Sequence, residues 1–372
     1  MTKTATAAVL RGLHEDFTLE QVTLDDPRPD EVLVRIVASG VCGTDLGVAA
    51  GHIPFPLPGV LGHEGAGIVE EVGSAVTRVR PGDHVLLTFT SCGDCPNCTA
   101  SHPAYCADFL HRNLLGGERA DGSATIRQAG TDLHGHFFAQ SSFATHVLAD
   151  ERGLTRVDPD ADLSLLAPLG CGIQTGAGAV LNVLRPQPGS TLAIFGAGAV
   201  GLAAVMAAAL SPATRIIVVD LAESRLELAT QLGATDVINP SNVDPAEALR
   251  ELTAGFGVTH ALECTGNPGV LRTAIEALAP LGEVGVMGAP SPGTTVPVDV
   301  NFLLNGRRIT GITEGDSNPP LFLPVLVDLV RQGRMPLDRL VTHYDFADIN
   351  TAAQDARAAA VVKPVLRMPG QP

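Results

Sequence analysis

Thr191-Leu-Ala-Ile-Phe-Gly-Ala-Gly-Ala-Val-Gly201 is the stretch that decides the fold. An uncharged, strand-forming run meets three glycines, Gly196, Gly198 and Gly201, and an Ala-rich segment continues to Leu210. The first glycine permits a tight turn, the second lets a pyrophosphate approach the backbone, and the third lets helix and strand pack closely. The N-terminus of the helix that follows offers N–H donors and a positive dipole to phosphate. G-x-G-x-x-G alone also marks an ordinary βα turn. Asp220, 19 residues after Gly201, narrows the reading. It ends the next strand, where a carboxylate accepts hydrogen bonds from ribose hydroxyls and repels a 2′-phosphate, so NAD is expected over NADP. Val200 inside the turn joins the cofactor-contacting set, and Arg225 is expected along the adenine or on the surface.

Outward from this turn, strand-like segments at 215–220, 236–239, 259–264 and 283–288 alternate with helix-like segments at 200–210, 222–232, 245–253 and 269–278. Strand alternating with helix predicts an α/β unit, a doubly wound parallel sheet of the Rossmann kind. Residues 192–210 carry no charge over 19 positions, the length of a membrane span. Their glycines, and the change from β-branched to Ala-rich composition, read instead as buried strand, turn and buried helix. Residues 5–169 differ: short β-rich runs at 32–37, 67–72 and 84–88, punctuated by Gly and Pro, predict a small-stranded, barrel-like domain. After about residue 308 the alternation fades into a helix-like 321–332, a strand-like 340–346 and an Ala-rich helix ending near 360. The expected organisation is a β-rich domain over 1–172, a dinucleotide domain over 173–308, and a segment over 309–372 that returns to the first domain.

A 372-residue chain exceeds the size at which one core keeps growing, which agrees with two domains. Hydrophobic residues at 45% and charged residues at 17% indicate a packed globular protein. The formal net charge of -16 opposes phosphate backbones and anionic lipid, so neither nucleic acid nor membrane is an expected partner. Seven cysteines, Cys264 among them, are an odd number, which disfavours a fully paired disulfide framework. The first 12 residues hold no signal-peptide core, and a reducing cytoplasm is the expected location.

Four cysteines, Cys92, Cys95, Cys98 and Cys106, fall within 15 residues. Spaced C-x2-C-x2-C-x7-C, they can close a tetrahedral shell around zinc, with no position left for substrate; a lobe over about 91–107 would be pinned by it. The remaining soft ligands are dispersed. Cys42, His63 and Cys171 each sit next to glycine, in Gly40-Val-Cys-Gly-Thr-Asp45, Gly62-His-Glu64 and Gly170-Cys-Gly172. Two Cys and one His leave a fourth zinc position open, the pattern of a catalytic site.

With these motifs in this order the chain resembles a zinc-dependent alcohol dehydrogenase of the medium-chain dehydrogenase/reductase superfamily. The resemblance rests on Cys42-Gly-Thr-Asp45, Gly62-His-Glu-x-x-Gly67, the cysteine lobe, Gly170-Cys-Gly172 and Gly196 to Gly201 with Asp220, and it covers essentially the whole chain. It implies a GroES-like catalytic domain joined to a Rossmann domain, with substrate and nicotinamide meeting in the cleft, and two zincs per chain. By the same resemblance Cys42, His63 and Cys171 hold the catalytic zinc, with Glu64 behind it as an occasional ligand. Asp45 would accept the other ring N–H of His63. Thr44 would take the alcohol proton, Thr175 would touch the nicotinamide, and the backbone from Met287 to Ala289 would hold its carboxamide. Lys363 matches a basic residue near the pyrophosphate. The implied reaction is reversible oxidation of a primary alcohol to its aldehyde, by hydride transfer from a zinc-bound alkoxide to NAD.

Two family positions are absent. A basic residue often follows the first zinc cysteine, but here Gly43 does; a His often stands five residues after that cysteine to relay protons, but here Gly47 does. His52 or water is expected to substitute for the relay. The run Gly135-His-Phe-Phe-Ala-Gln-Ser-Ser-Phe143 looks like the aryl-alcohol (benzyl-alcohol) branch, with Phe137 and Phe138 either lining an apolar pocket or forming core. Aromatic, allylic or other apolar alcohols are therefore the expected substrates. A formaldehyde dehydrogenase acting on a thiol adduct is the alternative within the class, a zinc-stabilised NAD-binding regulatory protein the alternative outside it. A zinc-free quinone reductase of the same fold is opposed by the full ligand set. By the same resemblance the chain is a homodimer or homotetramer, and an apolar strand such as 283–288 is able to pair across an interface.

Overall fold

The computed structural model describes residues 3–370. One compact unit runs to Cys171 and resumes at Asn318; the other is Gly172–Ser317.

The second unit carries the deciding turn. Its sheet has six strands in the spatial order Asp236–Ile238, Arg215–Val219, Thr191–Phe195, Val258–Glu263, Leu278–Val286, Arg308–Gly311, every pairing parallel. In chain order that is 3-2-1-4-5-6, the doubly wound arrangement whose order reverses beside strand Thr191–Phe195. The uncharged 192–210 stretch is that strand and the helix Ala199–Ala209, both buried; no single helix among the described residues is long and apolar enough to cross a membrane. Gly196 takes a left-handed φ of 96°, and a Cβ on Gly201 would collide with the Gly196 carbonyl. The turn closes only because both side chains are missing.

Two expectations need correcting here. Strand Leu278–Val286 is flanked by Val258–Glu263 on one edge and Arg308–Gly311 on the other, so residues 283–286 have no free edge to offer a second copy. On that side the edge strand is Arg308–Gly311. For the same reason residues 309–317 lie in the second unit rather than in the returning segment, because the hydrogen-bonded ladder to Leu278–Val286 holds them there.

The first unit is β-rich. A five-stranded sheet is built on the hairpin of Lys3–Leu10 and Thr18–Leu24, and a seven-stranded sheet centres on Glu31–Gly40. Glu31–Gly40 pairs antiparallel with Glu64–Val72, with His146–Asp150 and with the final strand Lys363–Arg367. Ten residues long and almost wholly buried, it is the beam of this unit. Its C-terminal end delivers Cys42, and the start of its partner Glu64–Val72 delivers His63 and Glu64. A core of Leu10, Ile36, Leu61, Phe137 and Phe143 fills the space between the sheets.

Gly201→Ala is expected to destabilise the chain by roughly 2 kcal/mol or more, since the new methyl has no room against backbone. Thermal unfolding measures it, and a variant that unfolds at the wild-type temperature would contradict the close packing described.

Candidate active site

Cys42, Thr44 and Asp45 sit at the start of the short helix Gly43–Ala49, for which Cys42 is the N-cap. Asp45 occupies the third helical position, and its Oδ2 reaches back to accept the Cys42 N–H at 2.9 Å, the returning half of a capping box. The other oxygen, Oδ1, accepts the Gly62 N–H at 3.0 Å and lies 3.1 Å from His63 Nδ1. One buried carboxylate therefore fixes the positions of two candidate ligands. Gly62, with a φ of 89°, makes the bend before His63 possible, and a Cβ there would strike Phe143.

The sulfurs of Cys42 and Cys171, a ring nitrogen of His63 and a carboxylate oxygen of Glu64 all lie within 4.8 Å of one another. With Nδ1 occupied by Asp45, the other ring nitrogen of His63, Nε2, is buried and has no hydrogen-bond partner. Burial opposes a charge on this ring, but Asp45 and the Cys42 sulfur outweigh it and raise its basicity well above the ordinary. The neighbouring Cys171 thiol pulls the Cys42 thiol well below its usual pKa against burial, with help from Lys363 and His63. An orphaned basic nitrogen beside two sulfurs, one with strong thiolate character, fits a soft divalent metal.

The lobe cysteines also converge. Cys92 Sγ lies 3.8 Å from Cys98 Sγ and 3.5 Å from Cys106 Sγ, too far for disulfides. Four sulfurs about 2.3 Å from a tetrahedral zinc would stand about 3.8 Å apart. Backbone N–H groups of Cys92, Cys95 and Ala107 donate to the sulfurs of Cys106, Cys92 and Cys95. The Ala107 N–H is the main cause that lowers the Cys95 thiol to about 6, while the Asp94 side chain pushes the Cys92 thiol up to about 12.

Known proteins resemble this chain along its whole length. Residues 28–159 match the alcohol dehydrogenase GroES-like domain family and residues 199–329 the zinc-binding dehydrogenase family. A geraniol dehydrogenase of Castellaniella defragrans is 45% identical over 363 residues, 97% of either chain. The chain belongs to the zinc-dependent alcohol dehydrogenases. It is thus an oxidoreductase of the medium-chain dehydrogenase/reductase superfamily. Among solved structures, an alcohol dehydrogenase zinc-binding domain protein from Burkholderia ambifaria is 53% identical, with a TM-score of 0.96 over 99% of this chain and 100% of its own. A benzyl alcohol dehydrogenase from Acinetobacter calcoaceticus is 47% identical, with a TM-score of 0.94 over 98% and 99%.

The other expected residues of this dehydrogenase fall as follows. Thr44 Oγ1 lies 3.8 Å from Cys42 Sγ. Phe138 stacks on the His63 ring, centroids 4.5 Å apart and planes at 23°, while Phe137 meets the same ring edge-on at 5.3 Å. Both are buried, so each is core and wall of the metal cluster at once. The Lys363 ammonium is buried and lies 2.9 Å from both Glu64 oxygens, with the Val41 carbonyl at 3.3 Å, a carboxylate partner that the sequence did not reveal. In the second unit, Asp220 accepts the N–H of Ala197 at 2.6 Å and of Ala222 at 2.9 Å, which turns the carboxylate toward the glycine-rich loop. Arg225 is buried beneath that loop, 3.3 Å from the Ala197 carbonyl, and is not a surface residue. Thr175 Oγ1 donates to Glu314 at 3.3 Å, and the N–H groups of Met287 and Gly288 both donate to the Glu263 carbonyl, ahead of Ala289.

Sequence reasoning missed Gln140. Fully buried, it accepts the Gly65 N–H at 3.1 Å and donates to the carbonyls of His63 and Thr88 at 3.0 and 3.2 Å, clamping the backbone on both sides of the cluster. Its only signal was an uncharged polar residue inside the apolar run Phe137 to Phe143.

Removing one member of the Glu64–Lys363 pair leaves a buried charge unmatched. Glu64→Gln and Lys363→Met should each destabilise by about 3 kcal/mol, and the double variant by much less than their sum. Urea unfolding of the four proteins decides it: additive losses would mean the pair is not coupled.

Proposed function

We propose that this dehydrogenase is NAD-dependent, holds two zinc ions per chain, and reversibly oxidises primary aromatic, allylic or otherwise apolar alcohols to their aldehydes. The observation that carries this reading is the convergence of Cys42, His63 and Cys171 on one point, with Asp45 on Nδ1 of the histidine and nothing on Nε2. Zinc held there supplies Lewis acidity to a hydroxyl or carbonyl oxygen. Asp45 fixes the tautomer so that the bare nitrogen faces the metal position. Thr44, at the second helical position after the Cys42 cap, takes the alcohol proton through its hydroxyl.

The onward path of that proton differs from the family pattern. A side chain at position 47 would meet Ile53 Cδ1 at 3.0 Å, so the relay position is closed by an isoleucine. His52 is exposed and donates its backbone N–H to the Gly47 carbonyl, and no hydrogen-bond chain among the described residues joins its ring to Thr44. Water is the outlet that agrees with this geometry.

The aromatic wall of Phe137, Phe138 and Phe55 supports an apolar substrate, as do relatives named for geraniol and benzyl alcohol. Asp220 beside the glycine-rich loop supports NAD over NADP, by placing a negative charge where a 2′-phosphate would sit. The Cys92, Cys95, Cys98 and Cys106 shell supports a second, structural zinc. Exposed Leu281, Val300, Leu304 and Ile309 near the edge strand Arg308–Gly311 support a dimer or tetramer of this chain.

One set of assays tests the reading. Metal analysis should find two zincs per chain, falling to one in Cys98→Ser. Steady-state kinetics should give kcat/KM for benzylic or allylic alcohols more than about tenfold above ethanol, and NAD reduction well above NADP reduction. Parity between ethanol and benzyl alcohol would refute the substrate class, and retention of activity after complete zinc removal would refute the mechanism.

A further inference from the structure

The cysteine lobe poses a charge problem that its own residues leave unsolved. Four thiolates around one divalent ion carry a formal charge of minus two. Residues 91–107 contain no lysine or arginine, and the chain as a whole stands at -16. Asp94, the one carboxylate in the lobe, faces Cys92 and adds to the excess.

A cavity of about 150 Å³ opens against this lobe. Cys98, Gly93 and Ser91 form one side, Arg78 and Arg152 face them, and no carboxylate lines it. Neither guanidinium closes an ion pair or a side-chain hydrogen bond among the described residues. Asp94 and Asp150 feel the charge of Arg152 only at longer range. Elsewhere in the same unit Arg11, Arg28, Arg80 and Arg119 each hold a carboxylate, and Arg112, near the lobe, is taken by Asp108 at 3.0 Å. Exposed Arg156, Arg334, Arg357 and Arg367 have no carboxylate in ion-pair range among the described residues either, so what sets Arg78 and Arg152 apart is the cysteine lobe they face. Contact with the lobe is direct: a Cβ on Gly93, inside the Cys92-Gly-Asp-Cys95 turn, would collide with the Arg152 guanidinium. That glycine is what lets Arg152 lie against the knuckle.

We propose that Arg152, with Arg78 beside it, is the counter-charge of the cysteine lobe, setting two positive charges against the two that four thiolates hold in excess of zinc. This rests on the reading that the lobe binds zinc. Both arginines are solvent-exposed, so their attraction is screened by salt, whereas purely packing contacts are not. A free phosphate or sulfate in the cavity is the competing occupant; it would have to sit beside the thiolates that repel it.

The test uses the intact holoenzyme and a chelating dye that reports released zinc. At low ionic strength the double variant Arg78→Gln/Arg152→Gln should lose one of its two zincs roughly tenfold or more faster than wild type, as removal of outer partners of a metal site does elsewhere. Before release its kcat should be unchanged, and Arg152→Lys should restore much of the retention. Added salt should speed release from wild type and leave the double variant nearly unaffected. Equal release rates, or a wild-type rate indifferent to salt, would overturn the proposal. So would a phosphate-dependent rise in Tm present in wild type and absent in the double variant, which would make the pair an anion receptor. Should Cys98→Ser retain the wild-type zinc content, the zinc reading of the lobe fails instead, and the two failures are told apart.

Discussion

The Asp45 carboxylate is the constraint on which the cluster of Cys42, His63 and Cys171 depends. It satisfies the N–H of Cys42, the N–H of Gly62 and one nitrogen of His63, so the helix carrying one sulfur and the bend carrying the imidazole cannot move independently. Burying a carboxylate is tolerated where N–H donors surround it, and here there are three. The same charge makes the free nitrogen of His63 a better ligand. Local folding and metal chemistry thus share one side chain: the group that caps a helix also sets the tautomer of the ligand.

Around that carboxylate the enclosure is aromatic and amide rather than charged. Phe138 lies over the face of the His63 ring, Phe137 meets its edge, and Gln140 ties the His63 carbonyl to that of Thr88. Phe138 takes a left-handed φ of 51°, a conformation a phenylalanine adopts only where its surroundings impose it. The imidazole is therefore held in angle by Asp45 and in plane by rings. Such support restricts the geometry a metal meets, which favours one coordination over others.

Much of this was legible in the residues. The glycines at 196, 198 and 201 and the strand before them are local signals, because a βα turn is made by neighbours in sequence. The ligand residues were legible because their spacing and their glycines are chemical requirements. What escaped depended on partners distant in sequence. The contact of Lys363 with Glu64, 299 positions away, exists only once the strand Lys363–Arg367 pairs with Glu31–Gly40. Arg225 reads as surface until the loop over it closes. Strand 283–286 reads as an edge until Arg308–Gly311 covers it. Pairing order in a sheet is a property of topology, and no residue in a strand announces which neighbour it will have.

Under the proposed two-zinc reading, charge accounting explains why one position is deep and the other shallow. At the buried cluster a divalent ion with the thiolates of Cys42 and Cys171 sums to zero, and Glu64 with Lys363 sums to zero again. Asp45 is met by three N–H groups, so His63 and Glu64 can be wholly buried without an uncompensated charge. The tetracysteine shell cannot reach neutrality with its own atoms. An unbalanced dianion in a low-dielectric core would cost several kcal/mol, so it belongs where water and guanidinium groups can answer it. Three of its four cysteines are partly exposed, as that argument requires. Lys363 then has a clear role: without it Glu64 would leave the buried cluster one positive charge short of balance, and burial of that cluster would be unfavourable.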